Sequence, residues 1–252
     1  MESKKSLEGK IALITGVGRS SGIGAAICRQ IAKNGGDIFF AYWGQYDRET
    51  HGDDQNDPPN IASELKQLGV RAESIEIDLS EPSSAERLFK AVEGRLGTPA
   101  ILVNNACHDF EVPFAQLSPE VLDKHYAVNV RAVAMLCKEF VKRRKPGSII
   151  NMTSGQSLGS MGEHKVPYAI TKAALEMLAP QLALDLIKLG ITIHSIDPGP
   201  TDTGWMTEEL KEQIRKESKR GEINTPDEVA RFIVSILTQE KPSTGEVMHA
   251  AR

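Results

Sequence analysis

The sequence predicts one doubly wound α/β domain, built on a mainly parallel sheet of seven strands. The first observation is an alternation of short apolar runs with longer segments of helical periodicity along the 252 residues. The second is that most of these runs are nearly continuous in apolar residues, which is typical of strands covered by helices on both faces. Neither an internal repeat nor a linker divides the chain, so residues 1–252 are expected to form a single domain, of a size ordinary for this class.

The strands and helices can be placed in order. Ile11-Ala12-Leu13-Ile14 is the core of the first strand, and Ile23, Ile27 and Ile31 recur after it at the spacing of one helix face. A later helix, from Tyr168 to about Leu189, is apolar nearly all round and carries Pro180, which predicts a kink. The predicted strands are Lys10–Thr15, Asp37–Tyr42, Arg71–Ile77, Ala100–Val103, Ser148–Met152, Ile191–Ile196 and Glu246–Met248.

Two segments interrupt this alternation. Residues 43–60 are polar, end in two prolines and are long for a strand-to-helix connection, which predicts a surface insertion. Residues 201–223 are mostly charged, with a helical patch from Thr207 to Arg220, and in this fold they would overhang the edge where ligands bind. A mobile lid over a substrate and a solvated helix without a gating role are both consistent with that segment.

Composition excludes several classes of protein. The net charge is −4, whereas proteins that bind nucleic acid through its phosphates are usually basic. No apolar run approaches the roughly 18 residues that span a bilayer. Cys28, Cys107 and Cys137 are scattered without a CxxC pair, so neither a disulfide framework nor a metal site is expected. The charged stretch Met1–Lys10 has no apolar signal core, which predicts a cytoplasmic protein.

A glycine-rich turn joins the first strand to the first helix. It reads Thr15-Gly-Val-Gly-Arg-Ser-Ser-Gly-Ile-Gly24. Glycines let the backbone approach a pyrophosphate closely, and a helix N-terminus offers unpaired N–H groups to it. A plain tight turn is the alternative, but the position between a strand and an amphipathic helix favours a dinucleotide site.

With this turn, the chain resembles the short-chain dehydrogenase/reductase family. The family motif is Thr-Gly-x-x-x-Gly-x-Gly, and the turn here is two residues longer. The chain is similar to the members of the family that reduce 3-oxoacyl-[acyl-carrier-protein]. The family's other motifs follow in order. These are Asp78-Leu79 after strand three, Asn104-Asn105-Ala106 after strand four, Asn129 in the next helix, Ser154 after strand five, Tyr168-x-x-x-Lys172 opening a helix, and Pro198-Gly199-Pro200-Thr201-Asp202-Thr203 after strand six.

The resemblance implies a Rossmann-type fold, a nicotinamide cofactor and a proton-transfer site. The implied catalytic residues are Asn129, Ser154, Tyr168 and Lys172. The implied cofactor contacts are Gly16, Gly18, Arg19, Ser20, Ser21, Gly22, Ile23, Gly24, Tyr42, Asp78, Leu79, Asn105, Ala106, Tyr168, Lys172, Pro198, Gly199, Thr201 and Thr203.

Tyr168 and Lys172 are four residues apart, so their side chains emerge from one helix face. A free phenol has a pKa of about 10, and a nearby ammonium favours the phenolate, which makes Tyr168 a candidate general acid and base. Ser154 ends strand five, where its hydroxyl can donate to a substrate oxygen; Ser157 is the rival for that role. By resemblance, Asn129 kinks its helix and holds a relay water; a buried asparagine that satisfies nearby backbone is the alternative.

The end of strand two indicates the cofactor. Enzymes that prefer NAD often carry an acidic residue there, and here the position is Tyr42, which does not repel a 2′-phosphate. Arg19 and Arg48 are candidate phosphate partners, although Asp47 and Glu49 flank Arg48. The sequence therefore favours NADP(H) over NAD(H).

Partners and substrate are less defined. The substrate is expected beside Cys107, His108, Gln156 and Trp205, a mixed lining that identifies no compound. The basic run Lys142–Lys145 is either a helix C-terminus that complements the dipole or a dock for acyl carrier protein. The apolar Tyr168 helix predicts a homo-oligomer, by resemblance a tetramer or a dimer. The favoured function is interconversion of a ketone and a secondary alcohol; a nucleotide sensor without turnover is the alternative.

Overall fold

A computed structural model describes residues 5–51, 57–155, 163–204, 206–217 and 223–250. These residues form one seven-stranded, wholly parallel sheet in the order β3-β2-β1-β4-β5-β6-β7. The predicted fold class is thereby confirmed. The strands are β1 (Ile11–Thr15), β2 (Asp37–Tyr42), β3 (Ala72–Glu76), β4 (Ile101–Asn104), β5 (Gly147–Met152), β6 (Ile191–Asp197) and β7 (Val247–His249).

Helices connect the strands and cover both faces of the sheet. In the described residues they are α1 (Ile23–Lys33), α2 (Gly44–His51), α3 (Asp57–Gln67), α4 (Ser84–Arg95), α5 (Pro119–Tyr126), α6 (Val133–Lys142), α7 (Val166–Glu176), α8 (Leu178–Leu186), α9 (Glu208–Glu217) and α10 (Pro226–Leu237). None of the described helices is long and apolar enough to cross a membrane.

The core lies in two layers because successive side chains of a strand point to opposite faces of the sheet. On β1, Ala12 and Ile14 face the layer of α1, α3 and α10, whereas Leu13 faces the layer of α4, α6, α7 and α8. Both layers exclude water almost completely, and Leu13 and Ile14 are fully buried. This double burial explains why the strands read as continuous apolar runs.

Strand order reverses between the neighbouring strands β1 and β4. From β1 the sheet continues through β2 and β3 to one edge, and from β4 it continues through β5, β6 and β7 to the other. Ligands of doubly wound folds bind at such a switch point, outside the carboxyl ends of the strands. The glycine-rich turn follows β1, and the Asn104-Asn105-Ala106 motif ends β4 and opens the loop after it. The topology therefore brings the two motifs together.

The predicted Tyr168 helix is divided in two. Proline lacks an N–H and its ring clashes with the carbonyl four residues earlier, which for Pro180 is the carbonyl of Glu176. Helix α7 ends at Glu176 and α8 begins at Leu178. The Ser195 hydroxyl of β6 donates to the carbonyls of Leu175 (3.5 Å) and Glu176 (3.4 Å), so a strand side chain satisfies the acceptors at the break.

The two irregular segments contain helices. Segment 43–60 holds α2 and the beginning of α3, and segment 201–223 holds α9. Lys211 fastens α9 to the preceding loop through Asp202 (2.8 Å), and a bridge joins Thr201 to Asn224 at the two ends of the segment.

Candidate active site

The glycine-rich turn packs directly on the end of β4. Gly16 has φ +74°, and a Cβ there would lie 2.5 Å from the Cα of Ala106, so the position requires glycine. Asn105 fixes the same contact from the other side, because its Nδ2 donates to the carbonyls of Thr15 (3.0 Å) and Gly16 (2.9 Å). The two motifs thus form one rigid unit.

The N-terminus of α1 is open to an anion. Gly22 is its N-cap residue and supplies no side-chain acceptor, and the first turn of the helix contains no acidic residue. The exposed N–H groups and the positive end of the helix dipole are what a phosphate requires. The residues present therefore fit the pyrophosphate of a dinucleotide.

The extra residues of the lengthened turn are fastened on its outer side. The Ser20 N–H donates to Asp57 Oδ2 (2.7 Å), and Arg29 donates to the Ser20 carbonyl (2.7 Å) and hydroxyl (2.6 Å). Across the turn, the Ser21 hydroxyl donates to the Thr203 carbonyl (3.0 Å), and Arg19 reaches Thr203 Oγ1 (3.4 Å). These bonds tie the extra residues of the turn to α1, to α3 and to the loop after β6.

Tyr168, Ser154 and Lys172 meet at the carboxyl end of β5. The phenol of Tyr168 is hydrogen-bonded to the Ser154 side chain. Lys172 is 3% exposed, and its Nζ lies 5.5 Å from the centre of the Tyr168 ring and donates to the Met152 carbonyl (2.7 Å). That bond uses one of three ammonium hydrogens, which leaves two for a bound molecule.

The protonation states of this cluster follow from burial. Burial, Cys107 and Asp109 raise the pKa of Tyr168 well above its usual value, against the lowering effect of Ser154. Burial lowers the pKa of Lys172. The direction for Tyr168 is opposite to the one expected from Lys172 alone, because loss of water around the phenolate outweighs the lysine. Tyr168 is therefore a phenol that holds its proton in this protein.

Asn129 lies in a π-helical turn, Ala127–Ala132, between α5 and α6. A π-helical turn is one of the usual causes of a kink in a helix. Its Oδ1 accepts from the His108 N–H (2.7 Å), and its Nδ2 donates to the His108 carbonyl (2.9 Å) and to Thr171 Oγ1 (3.0 Å). Both amide hydrogens and one lone pair of the amide oxygen thus bond to protein groups, and the second lone pair remains for a further donor.

Two residues of α2 lie at this edge without having been predicted there: Tyr46, and Asp47, which the sequence marks only as a neighbour of Arg48. The Tyr46 hydroxyl accepts from the Asp109 N–H (3.2 Å), and its ring lies 5.5 Å from the ring of His108. The carboxylate of Asp47 lies on Gly18. No local sequence signal marks either residue, because both contacts depend on how the polar segment folds back over the sheet.

The remaining cofactor candidates lie along the same edge. Tyr42 ends β2, and Glu76 and Arg48 lie together beside Gly44. Asp78 Oδ1 accepts from the Ser80 N–H (2.8 Å), whereas Leu79 is buried in the core. After β6, the turn is held by bonds from the Gly199 N–H to Asp197 Oδ1 (2.8 Å) and from Thr201 Oγ1 to the Gly199 carbonyl (3.0 Å) and the Pro198 carbonyl (3.3 Å).

Three predicted residues, Gln156, Ser157 and Trp205, lie outside the described residues. Cys107 is half-buried, and burial raises its pKa, so it is a thiol rather than a thiolate. In the part of the chain that is described, no group of histidine, cysteine and carboxylate side chains has the arrangement of a metal site.

Two of the four residues in the basic run at the end of α6 form ion pairs within the protein. Arg143 pairs with Glu93 (2.9 Å) and Glu139 (2.8 Å) and stacks on Phe89, and Lys142 also pairs with Glu139. These ion pairs reduce the positive charge available to an acidic partner.

Comparisons with known proteins agree with this arrangement. Residues 10–214 match the family model for short chain dehydrogenase. An uncharacterized oxidoreductase, YjdA, of Bacillus subtilis is 40% identical over 96% of this chain and 95% of its own. A chloroplastic NADPH-dependent aldehyde reductase-like protein of Arabidopsis thaliana is 34% identical over 90% and 87%. A 3-oxoacyl-[acyl-carrier-protein] reductase of Aquifex aeolicus is 28% identical over 96% of both chains.

A solved structure has the same architecture. A short chain dehydrogenase from Burkholderia cenocepacia in complex with NADP superimposes with a TM-score of 0.86 at 28% identity, covering 98% of this chain and 100% of that one. Together with the family-model match, this likeness confirms the resemblance found in the sequence motifs. The chain belongs to the short-chain dehydrogenase/reductase family.

Proposed function

We propose that this protein is an NADP(H)-dependent oxidoreductase that interconverts a ketone and a secondary alcohol. The observation that carries the proposal is the cluster of Tyr168, Ser154 and buried Lys172 at the same end of the sheet as the open N-terminus of α1. A proton donor and a phosphate cradle at one edge of the sheet are the two parts that such a reaction needs.

The proton chemistry follows from the state of Tyr168. Because burial raises its pKa, the phenol carries a proton that it can give to the oxygen of a carbonyl substrate. Ser154 donates a second hydrogen bond to that oxygen as negative charge develops on it. The ammonium of Lys172 stabilises the phenolate that remains. The chemistry that a nicotinamide would supply when bound here is the transfer of the hydride to or from the substrate carbon.

Support for the cofactor comes from several residues. Gly16, Gly18, Gly22, Ile23 and Gly24 would cradle the pyrophosphate, with Arg19, Ser20, Ser21 and Thr203 around it. Asp78, Leu79, Asn105 and Ala106 would flank the adenosine half, and Lys172, Pro198, Gly199 and Thr201 the nicotinamide half. Tyr42 at the end of β2, the NADP-bound relative and the NADPH-dependent relative favour NADP(H).

The finer proposal for the substrate is a 3-oxoacyl thioester carried on acyl carrier protein. The Aquifex relative supports it. The ion pairs of Lys142 and Arg143 weaken the case for the basic run as the dock, although Arg144 and Lys145 are exposed. His108 and Cys107 would line the substrate, and segment 201–223 would close over it.

We also propose that the protein is a homo-oligomer of the cytoplasm. Ile170, Met177 and Leu184 are more than half exposed and recur every seven residues along α7 and α8, a stripe that a second subunit would cover. The three cysteines are free thiols, which is consistent with a reducing compartment.

The test has two steps. Titration with NADPH and NADH, followed by nicotinamide fluorescence, measures whether and which cofactor binds. Turnover is then measured on a panel of ketones and 3-oxoacyl thioesters for the wild type and for Tyr168→Phe. We expect the variant to lose at least about a hundredfold in turnover with unchanged NADPH affinity. Tight NADPH binding with no turnover across the panel would instead favour a nucleotide sensor, and absence of binding would exclude both functions.

A further inference from the structure

Helix α2 brings a carboxylate onto the glycine-rich turn. A Cβ built on Gly18 would lie 1.8 Å from Asp47 Oδ2 and 2.6 Å from its Cγ, so the Asp47 side chain occupies the space that a side chain at position 18 would need. Asp47 is therefore in van der Waals contact with the backbone of the turn, although it comes from the polar segment after β2.

The contact lies over the carboxyl ends of β1 and β2. The Val17 N–H donates to the Ala41 carbonyl (3.0 Å), which extends the pairing of these strands into the turn as far as Val17, the residue before Gly18. Tyr42 ends β2 immediately beyond Ala41. In dinucleotide-binding folds an acidic residue at this junction bonds the ribose 2′-hydroxyl of the adenosine. Strand β2 ends without such a residue, and Asp47 places a carboxylate at the junction from the next helix.

A second contact holds α2 in this position. Tyr46, adjacent to Asp47, reaches the loop after β4 through the bond from the Asp109 N–H to its hydroxyl (3.2 Å) and packs on the ring of His108. The helix thus contacts both the glycine-rich turn and the loop after β4. Asp47 is consequently held against the turn rather than free in solvent.

The Asp47 carboxylate is the charge that lies at this junction. Burial raises the pKa of Asp47, Asp57 adds to that rise and Arg19 opposes it. Asp57 accepts from the Ser20 N–H (2.7 Å) on the outer side of the turn, and Arg19 bonds to Thr203. A 2′-phosphate at the junction would therefore meet the Asp47 carboxylate, whereas a ribose hydroxyl could donate to it.

We infer that Asp47 is a specificity-determining residue at the adenosine end of the dinucleotide site, which accepts from the ribose hydroxyl and lowers affinity for a 2′-phosphate. The inference rests on the proposed dinucleotide site. Two features of this chain therefore have opposite effects on the affinity for a 2′-phosphate. Tyr42 leaves the end of β2 without a repelling charge, whereas Asp47 restores part of the repulsion. The affinity ratio of NADP(H) to NAD(H) is therefore smaller than it would be with Tyr42 alone.

Adenosine fragments isolate this end of the site. Calorimetric titrations with 2′,5′-ADP and with 5′-AMP, which differ only by the 2′-phosphate, are compared for the wild type, Asp47→Asn and Glu49→Gln. Glu49 is the matched control, because it lies on the exposed side of α2, bonds to Gln45 and loses the same single charge. We expect Asp47→Asn to raise the affinity ratio of 2′,5′-ADP to 5′-AMP on the order of tenfold, the effect of removing one close like charge. Glu49→Gln should leave the ratio within about twofold, as expected for an exposed, screened charge.

The outcomes separate the inference from the proposed function. If the fragments bind and Asp47→Asn leaves the ratio unchanged, or Glu49→Gln shifts it equally, the inference is wrong and the dinucleotide site stands. If neither fragment nor NADPH nor NADH binds the wild type, the proposed function falls and the inference with it. Asp47→Ala, which also suits a helix, should reproduce the Asn result, and circular dichroism verifies that each variant is folded.

Discussion

The side-chain amide of Asn129 bonds to both backbone polar groups of His108, accepting from its N–H at 2.7 Å and donating to its carbonyl at 2.9 Å. The second amide hydrogen goes to Thr171 on α7, the helix that carries Tyr168. One buried side chain therefore couples the loop after β4 to the helix that bears the proton donor. The π-helical turn is what brings Asn129 to this position.

Replacing Asn129 by alanine should destabilise the fold. The change leaves the buried N–H and carbonyl of His108 without their partner, and an unsatisfied buried group costs about 1–3 kcal/mol. We expect the free energy of unfolding in urea to fall by about 3 kcal/mol for Asn129→Ala. Asn34→Ala, at the half-exposed end of α1, is the control and should cost about 1 kcal/mol or less. A loss for Asn129→Ala no larger than the control's would contradict the positioning role.

His108 should make the free energy of unfolding depend on pH in the acidic range. Burial, the neighbouring His125 and Lys124 lower its pKa to about 4. Between about pH 6.5 and pH 4 the unfolded chain binds a proton that the folded chain does not, so stability falls as the pH falls through this window. From pH 7 to pH 5 we expect the wild type to lose about 2 kcal/mol more than His108→Asn.

The measurement for His108 is urea unfolding at both pH values. His164→Asn is the matched control, because His164 is exposed and its removal should leave the loss between pH 7 and pH 5 unchanged. If His108→Asn lost as much stability as the wild type over that interval, another group would carry the dependence.

The sequence predicts those features of the fold whose physical cause lies in residues close to one another along the chain. Strand β1 was predictable because Ile11 to Ile14 are apolar in succession, and double burial leaves no other pattern. The break near Pro180 was predictable as a kink, and its position at Glu176 follows from the steric rule for proline. The bond from Ser195 that satisfies Glu176 was not, since it joins residues that only the sheet brings together.

The candidate site likewise contains some contacts that the sequence predicts and others that it does not. Tyr168 and Lys172 are neighbours on one helix turn, so their spacing alone puts them together. Asp47 and Tyr46 reach the site only because a polar segment folds back over the ends of the strands, and polar residues carry no periodicity that would predict such a fold. The direction of the Tyr168 pKa also depends on burial by the whole edge of the sheet, which no short motif encodes.

Lys172 should matter for reaction rather than for folding. Its buried ammonium has a lowered pKa and donates to the Met152 carbonyl. Replacement by methionine removes a buried charge, and this change favours the folded state. It also removes the donor to the Met152 carbonyl, and this loss disfavours the folded state. The net change in the free energy of unfolding should therefore be within about 1 kcal/mol. Turnover should fall by at least about a hundredfold, and NADPH affinity should weaken. Turnover within threefold of the wild type would exclude Lys172 from the mechanism.

The apolar stripe on α7 and α8 gives a prediction about assembly. Leu184 is 76% exposed, so in an isolated subunit Leu184→Glu would remove little packing and leave stability nearly unchanged. In an oligomer built on this face, the same change buries an unpaired carboxylate between subunits, which costs several kcal/mol for each interface. We therefore expect light scattering to show an oligomer for the wild type and for Gln67→Glu, an exposed position on the opposite layer, and a smaller species for Leu184→Glu. A monomeric wild type would mean that there is no subunit contact, and an oligomer that survives Leu184→Glu would place the contact on another face. In either case the exposed Leu184 would be an ordinary surface leucine.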